Sequence, residues 1–345
     1  MTPPRSPESA ERHDGPVPAE REITEPVALT LATGRLNREA VGWTRRPLHT
    51  TDGVGRGRVG FGRNKRWEYW AVTTPTHVAS VVVSDISYAA VPSVFVLDRR
   101  SGEQVSVDGI APLARGTTLP GTLDAGASRA RTKDLDIRLD PTSEGTRIRA
   151  TTDRIELDVT ALLPEGHERL GVVVPWSERL FQYTVKDPAR PAVGRLTVDG
   201  TAYEIGDDAW ATLDHGRGRW PYSVRWNWGA GSGRVDGRVV GLQVGGRWTD
   251  GTGSTENAIV VDGRLSKIGD ELRWDYTPGD WMRPWRVRGG PLDVTFHPEH
   301  VRESITQLGV LASRTHQCFG TWNGRVGDQA VDGLVGWAED VHQRW

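Results

Sequence analysis

Trp67-Glu68-Tyr69-Trp70-Ala71-Val72-Thr73 and His77-Val78-Ala79-Ser80-Val81-Val82-Val83 flank Thr74-Pro75-Thr76, and this stretch decides the fold. β-Branched and aromatic residues fill both runs and a proline sits in the short gap, so the pair reads as a β-hairpin. Ser93-Val94-Phe95-Val96-Leu97-Asp98 then runs into Arg99-Arg100-Ser101-Gly102, another turn. Leu135-Asp136-Ile137-Arg138-Leu139, Thr146-Arg147-Ile148-Arg149-Ala150 and Arg154-Ile155-Glu156-Leu157-Asp158-Val159 keep period two, with one apolar and one charged face. Strands of that kind are half buried in an antiparallel sheet. Most of the 41 glycines and 21 prolines stand between such runs as turn punctuation. A single short helix is expected, near Asn37-Arg38-Glu39-Ala40-Val41.

Strand signals recur about every ten residues, the spacing of sandwiches and barrels. A chain of 345 residues is too long for one ordinary core and comfortable for two. Val198-Asp199-Gly200-Thr201-Ala202-Tyr203-Glu204 reads as a tight hairpin around Asp-Gly. We place the boundary there, giving an N-terminal β domain over 26–200 and a C-terminal one over 201–345. Residues 1–25 hold prolines and charges with almost nothing apolar, and read as a disordered tail.

No window approaches the ~20 apolar residues that span a bilayer, so no integral membrane segment is expected. Cys318 is the only cysteine and can make no internal disulfide, which favours a reducing compartment, the cytoplasm. A net charge of −2 argues against a globally basic nucleic-acid binder. Only Lys65, Lys133, Lys186 and Lys267 stand among 43 lysines and arginines, an imbalance we assign to codon usage.

Gly55-Arg56-Gly57-Arg58-Val59-Gly60 matches a dinucleotide fingerprint by letters alone, because a loop precedes it and no helix follows. His297 and His300 flank Pro298 without a third ligand. We therefore expect neither cofactor nor metal. Around the glycines lie Arg45, Arg46, Arg56, Arg58, Arg63, Lys65 and Arg66, interleaved with Phe61, Trp67 and Tyr69. A solvated, arginine-rich loop is the plain reading. A site for a small anionic group and one for single-stranded nucleic acid follow in that order.

The second half carries the sharper signal, for 11 of the 15 tryptophans fall from Trp210 onward. Asp214-His215-Gly216-Arg217-Gly218-Arg219-Trp220-Pro221-Tyr222 leads into Arg225-Trp226-Asn227-Trp228-Gly229. Trp248, the pair Glu256-Asn257, Trp281 and Trp285 follow, and the chain ends in Gly336-Trp337-Ala338-Glu339-Asp340-Val341-His342-Gln343-Arg344-Trp345. At period two, Trp226 and Trp228 share one face and Arg225, Asn227 and Gly229 the other. Charges recurring beside strand tryptophans point to a polar-lined pocket, since an unpaired buried charge is costly. Asp214 and His215 are the candidate acid–base unit, with Glu256 and His342 next. Arg217, Arg219, Trp220, Tyr222, Trp226, Asn227, Trp228, Trp248, Asn257, Trp281, Trp285 and Glu339 are the candidate ligand contacts.

Several of these blocks carry a resemblance. Trp43-Thr44-Arg45-Arg46-Pro47-Leu48-His49, Arg63-Asn64-Lys65-Arg66-Trp67-Glu68-Tyr69-Trp70, the 214–229 block, Thr252-Gly253-Ser254-Thr255-Glu256-Asn257 and the 336–345 tail resemble the bacterial domain of unknown function DUF2804. The Asp-His-Gly block and the Trp-Ala-Glu-Asp-x-His tail are more distantly similar to carotenoid 1,2-hydratases (hydroxyneurosporene synthases) and AttH-like proteins. That resemblance implies an all-β chain of two lipocalin-like antiparallel barrels or sandwiches side by side. It implies an apolar ligand between or within them and chemistry without a cofactor. The functional expectation is a cofactor-free hydratase, lyase or isomerase acting on an isoprenoid, polyketide or lipid-like molecule. The alternative is a non-catalytic intracellular carrier of a hydrophobic ligand.

Overall fold

A computed structural model describes residues 20–345, other than 56, 58, 309, 310 and 345. Its regular structure is almost entirely strand. The described residues contain no α-helix, only a 3-10 turn at Arg38–Ala40 capped by the Asn37 side chain. None of their helices is long and apolar enough to cross a membrane.

The opening hairpin forms as Asn64–Thr73 and His77–Asp85, closed by a Thr74 N–H to His77 carbonyl bond of 2.8 Å. It joins a curled 16-stranded sheet whose spine is Phe181–Val198. The first half of that strand pairs with Leu170–Pro175 and Trp210–Arg219, and the second half with Ile155–Leu162 and Thr201–Ile205. The change of partner falls at a register shift between Asp187 and Arg190, where Pro188 interrupts the ladder and Ala189 takes a φ of 62°. The second sheet has nine strands, with Ser223–Val235 between Arg238–Gly246 and Gln329–Arg344. The two curled sheets lie side by side, two half-barrels as the fold expectation had it.

Each half-barrel has its own core. Trp70, Val81, Ile137, Val159, Tyr183 and Leu213 fill the first, and Leu242, Trp285, Phe296, Trp322 and Ala338 the second. Two further clusters join residues of both sheets. One contains Trp43, Val172, Trp220, Trp248 and Val260, the other Ala71, Phe95, Trp228, Phe319 and Trp337. Alternation sets this division: Glu68, Trp70 and Val72 point into the first core while Trp67, Tyr69 and Ala71 meet the other sheet. In the second sheet Trp226, Trp228 and Ala230 face the first, and Gly229 and Gly231 lie beneath the Trp322 ring. A Cβ at either glycine would come within 2.5 or 2.7 Å of that ring.

Two boundaries differ from the expectation. Residues 1–19 of the expected tail lie outside the described residues, but 20–25 are docked. Ile23 is buried and its N–H bonds the Trp43 carbonyl, while the Glu20 side chain is only 5% exposed. One apolar side chain and one anchored carboxylate suffice to pin a segment whose composition looks disordered. The chain also passes between sheets later than residue 200. Thr201–Ile205 and Trp210–Arg219 both pair within the first sheet, and the second begins at Ser223. The Asp199-Gly200 turn is a hairpin inside the first sheet, so the turn chemistry was read correctly and its rank was not.

Candidate active site

Two neighbouring strands of the first sheet turn polar residues toward the second. On Phe181–Val198, Gln182, Thr184 and Lys186 alternate with Phe181, Tyr183 and Val185, which enter the first core. On Trp210–Arg219, Asp214 stands on the same outward face as Gly216 and Gly218. Those glycines are required there: a Cβ on Gly216 would lie 2.2 Å from the Trp67 ring, and one on Gly218 2.1 Å from Gln182 Oε1. The facing sheet supplies Trp226, Trp228, Gln243, Gln317 and Glu339, and the loop before Asn257–Val261 supplies Trp248 and Glu256.

At the centre the Lys186 ammonium lies 3.2 Å from Asp214 Oδ1 and 3.1 Å from Glu256 Oε2. It also sits 4.1 Å over the Trp228 ring. Trp67 Nε1–H and the Thr184 hydroxyl both donate to Asp214, each at 3.0 Å. Trp248 Nε1–H donates to Glu256 at 2.6 Å. Glu339 accepts from Trp226 Nε1–H at 2.8 Å and Gln317 Nε2–H at 3.2 Å, and pairs in register with Trp228. All four ionisable residues are buried.

Two carboxylates therefore share one ammonium with a third carboxyl close by, and burial opposes ionisation of Glu256 and Glu339. Burial pushes Glu339 up to about 7; the Trp226 N–H and Lys186 charge oppose this, and Asp214 and Glu256 add to it. Burial also raises Glu256, against Lys186 and the Trp248 N–H. Lys186 ends above its ordinary value, because the Asp214 and Glu256 carboxylates outweigh its own burial. The cluster thus holds a fixed cation, an Asp214 carboxyl surrounded by donors, and a Glu339 proton that titrates near neutrality. General acid–base chemistry calls for a group that exchanges its proton near neutral pH. No group of three or more His, Cys, Asp or Glu side chains poised to hold a metal occurs among the described residues.

Tryptophans close the cluster off. Trp220 stacks on Trp248 at 5.9 Å, and Trp176 stands edge-on to both at 5.3 and 5.8 Å. Trp67 and Trp226 meet Trp220 edge-on at 5.5 and 5.8 Å. Trp220 and Trp248 are only 4% and 8% exposed. Trp248 and Glu256 belong to one loop, which bends at Gly251 and Gly253 with φ of 71° and 75°.

Of the residues singled out from sequence, Asp214, Glu256, Glu339, Trp220, Trp226, Trp228 and Trp248 meet here. The others lie elsewhere. His215 is on the reverse face of its strand, in the first core, 6.2 Å from the Tyr183 ring. Burial, aided by Arg217 and Arg169, drives its imidazole well below the ordinary value. Arg217 donates to the carbonyls of Trp67, Gly216 and Pro120, and Arg219 to those of Gly34 and Gly53, pinning loops to the sheet. Asn257 holds Gly245 N–H and the Asp270 carbonyl beside Glu256. Asn227 faces the second core and donates to Tyr276 Oη at 3.1 Å; Trp285 is fully buried there and Trp281 stacks on His316. Tyr222 is exposed, and His342 pairs with the Ser223 hydroxyl near the ends of two central strands of the second sheet.

Lys186, Thr184, Trp67 and Trp176 were missed. Lys186 was the findable one: a rare lysine in an arginine-rich chain, third in the alternating series Gln182, Thr184, Lys186.

Among solved structures the fold is similar to that of a candidate AttH from Nitrosomonas europaea, with a TM-score of 0.50 and 14% identity over 81% of this chain and 92% of that one. Kievitone hydratase from Nectria haematococca gives 0.49 and 12% over 81% and 88%. CghA bound to Sch210972 gives 0.49 and 12% over 82% and 89%. No curated protein matches by sequence. A family model described as a domain of unknown function, DUF2804, matches residues 20–345.

Proposed function

The chain belongs to the DUF2804 family, and we propose that it is a cofactor-free enzyme that moves protons on a hydrophobic small molecule held between its two half-barrels. The observation that carries this reading is the sharing of one buried ammonium by Asp214 and Glu256, beside a Glu339 proton titrating near 7, behind a wall of tryptophans. A merely structural ion pair needs one carboxylate for its lysine. A third carboxyl raised by burial lowers stability and is retained where it does work.

In the proposed cycle Glu339 gives its proton to an alkene carbon or carbonyl oxygen of the substrate. That forms a C–H or O–H bond and leaves Glu339 as carboxylate. Asp214 or Glu256 removes a proton from a substrate C–H or from an attacking water, completing an isomerisation or a hydration, and Lys186 balances the charge that moves between them. Ring faces of Trp220, Trp226, Trp228 and Trp248 stabilise cationic character on the apolar skeleton. Entry requires Trp248 and its loop to swing, carrying Glu256 with them.

The test begins with the ligand retained by the purified protein, identified by mass spectrometry. Its turnover is then measured in wild type and in Glu339→Gln. A fall of ~10²-fold or more with retained binding is the expected result. Binding without turnover in either form would replace the enzyme with a carrier.

A further inference from the structure

Leu31, Val59, Phe61 and Tyr222 are large side chains left 50%, 55%, 58% and 41% exposed. They come from separate segments but gather at one end of the molecule. The Gly34 N–H closes a turn onto the Leu31 carbonyl, and a Cβ on Gly34 would lie 2.6 Å from Val59 Cγ1. Arg219 ties that turn to the next loop through the carbonyls of Gly34 and Gly53 and through Asn64 Oδ1. The Asn64 amide in turn holds the Val59 carbonyl at 2.9 Å. The Arg63 guanidinium lies 5.9 Å over the Tyr222 ring, bringing in the last member. An apolar ridge built on pinned backbone differs from scattered surface residues.

Exposed cations stand at the same end, where the second sheet begins. Ser223, next to Tyr222, pairs in register with Arg344, and two rungs on Arg225 and Arg314 stand on either side of His342. Arg63, Arg225, Arg314 and Arg344 are exposed, and none of them is in an ion pair among the described residues. Burial lowers the His342 imidazole, and Arg225, Arg344 and Arg314 lower it further, against Asp340.

Exposed apolar side chains and guanidiniums at one end match one surface in both respects: acyl chains for the ridge and phosphates for the arginines. An acidic protein would leave Phe61 and Val59 unsatisfied. Single-stranded nucleic acid would stack on the aromatics but gains no ring face from Leu31 or Val59. The ridge also adjoins the tryptophan wall, since Trp220 N–H bonds the Arg63 carbonyl at 2.9 Å. We propose that this end docks on the surface of an anionic phospholipid bilayer.

Docking is independent of the proton-transfer reading and is tested without turnover. The full chain is sedimented with vesicles of phosphatidylglycerol and phosphatidylcholine, or of phosphatidylcholine alone. We expect binding to the anionic vesicles that weakens as salt rises, and little to the neutral ones. Val59→Ser with Phe61→Ser should reduce affinity by about tenfold or more. Arg225→Gln or Arg344→Gln should each reduce it roughly fivefold. All should melt like the wild type. Equal binding to both vesicle types, undiminished binding by the Val59/Phe61 variant, or no vesicle binding would overturn the proposal. Capture of a single-stranded oligonucleotide in place of vesicles would do so too.

Discussion

Lys186 has two carboxylate partners and an aromatic ring, and its removal strands both acids in the protein interior. Lys186→Met should cost about 3–5 kcal/mol, as breaking a buried pair from one side does; a urea titration measures it. Glu339 behaves oppositely. Its folded value, about 7, lies above that of the unfolded chain, so native stability is full below about 4.5 and declines as pH rises toward 7. Glu339→Gln removes that decline, and above pH 7 it should be the more stable form by up to ~3 kcal/mol. Identical stability–pH curves for variant and wild type would remove the raised proton from the account. His215 belongs to another environment. Both ring nitrogens are buried without hydrogen-bond partners, so His215→Leu should be neutral or mildly stabilising. Asp214-His215 was legible as two reactive side chains, yet adjacent strand residues face opposite ways and cannot act as one unit there.

At the scale of elements, alternation served well wherever one face was wet. Asp136–Thr142, Gly145–Thr151 and Ile155–Leu162 show the expected in–out burial. It spoke less clearly in Trp210–Arg219, where every residue is buried and the two faces belong to different cores. A pattern of polar and apolar residues says which share a face, not which core that face meets. The N-terminal segment shows a second limit, since composition cannot register one specific anchor. Glu20 Oε1 accepts from Thr255 N–H at 3.1 Å, the Thr255 hydroxyl at 2.9 Å and Lys267 at 2.6 Å, directly before Glu256. Deleting residues 1–25 should therefore lower the melting temperature by several degrees, whereas deleting 1–19 should cost less. Equal melting of the two truncations would show that Glu20–Glu25 adds nothing.

Across the whole molecule, function and fold meet at the seam between sheets. Neither half-barrel alone contains an acid, a base and a cation together: Lys186 and Asp214 come from the first, Glu256 and Glu339 from the second. Sequence could nominate the members from the second half because tryptophans marked them, but long-range pairing alone brings Lys186 to Glu256. The most direct measurement is a pH titration of carboxyl groups by infrared difference spectroscopy, comparing wild type with Glu339→Gln. We expect a protonated carboxyl band in the wild type that disappears with a midpoint near 7 and is missing from the variant. A wild-type spectrum with every carboxyl already ionised at pH 6 would contradict a neutral-pH proton donor between the sheets.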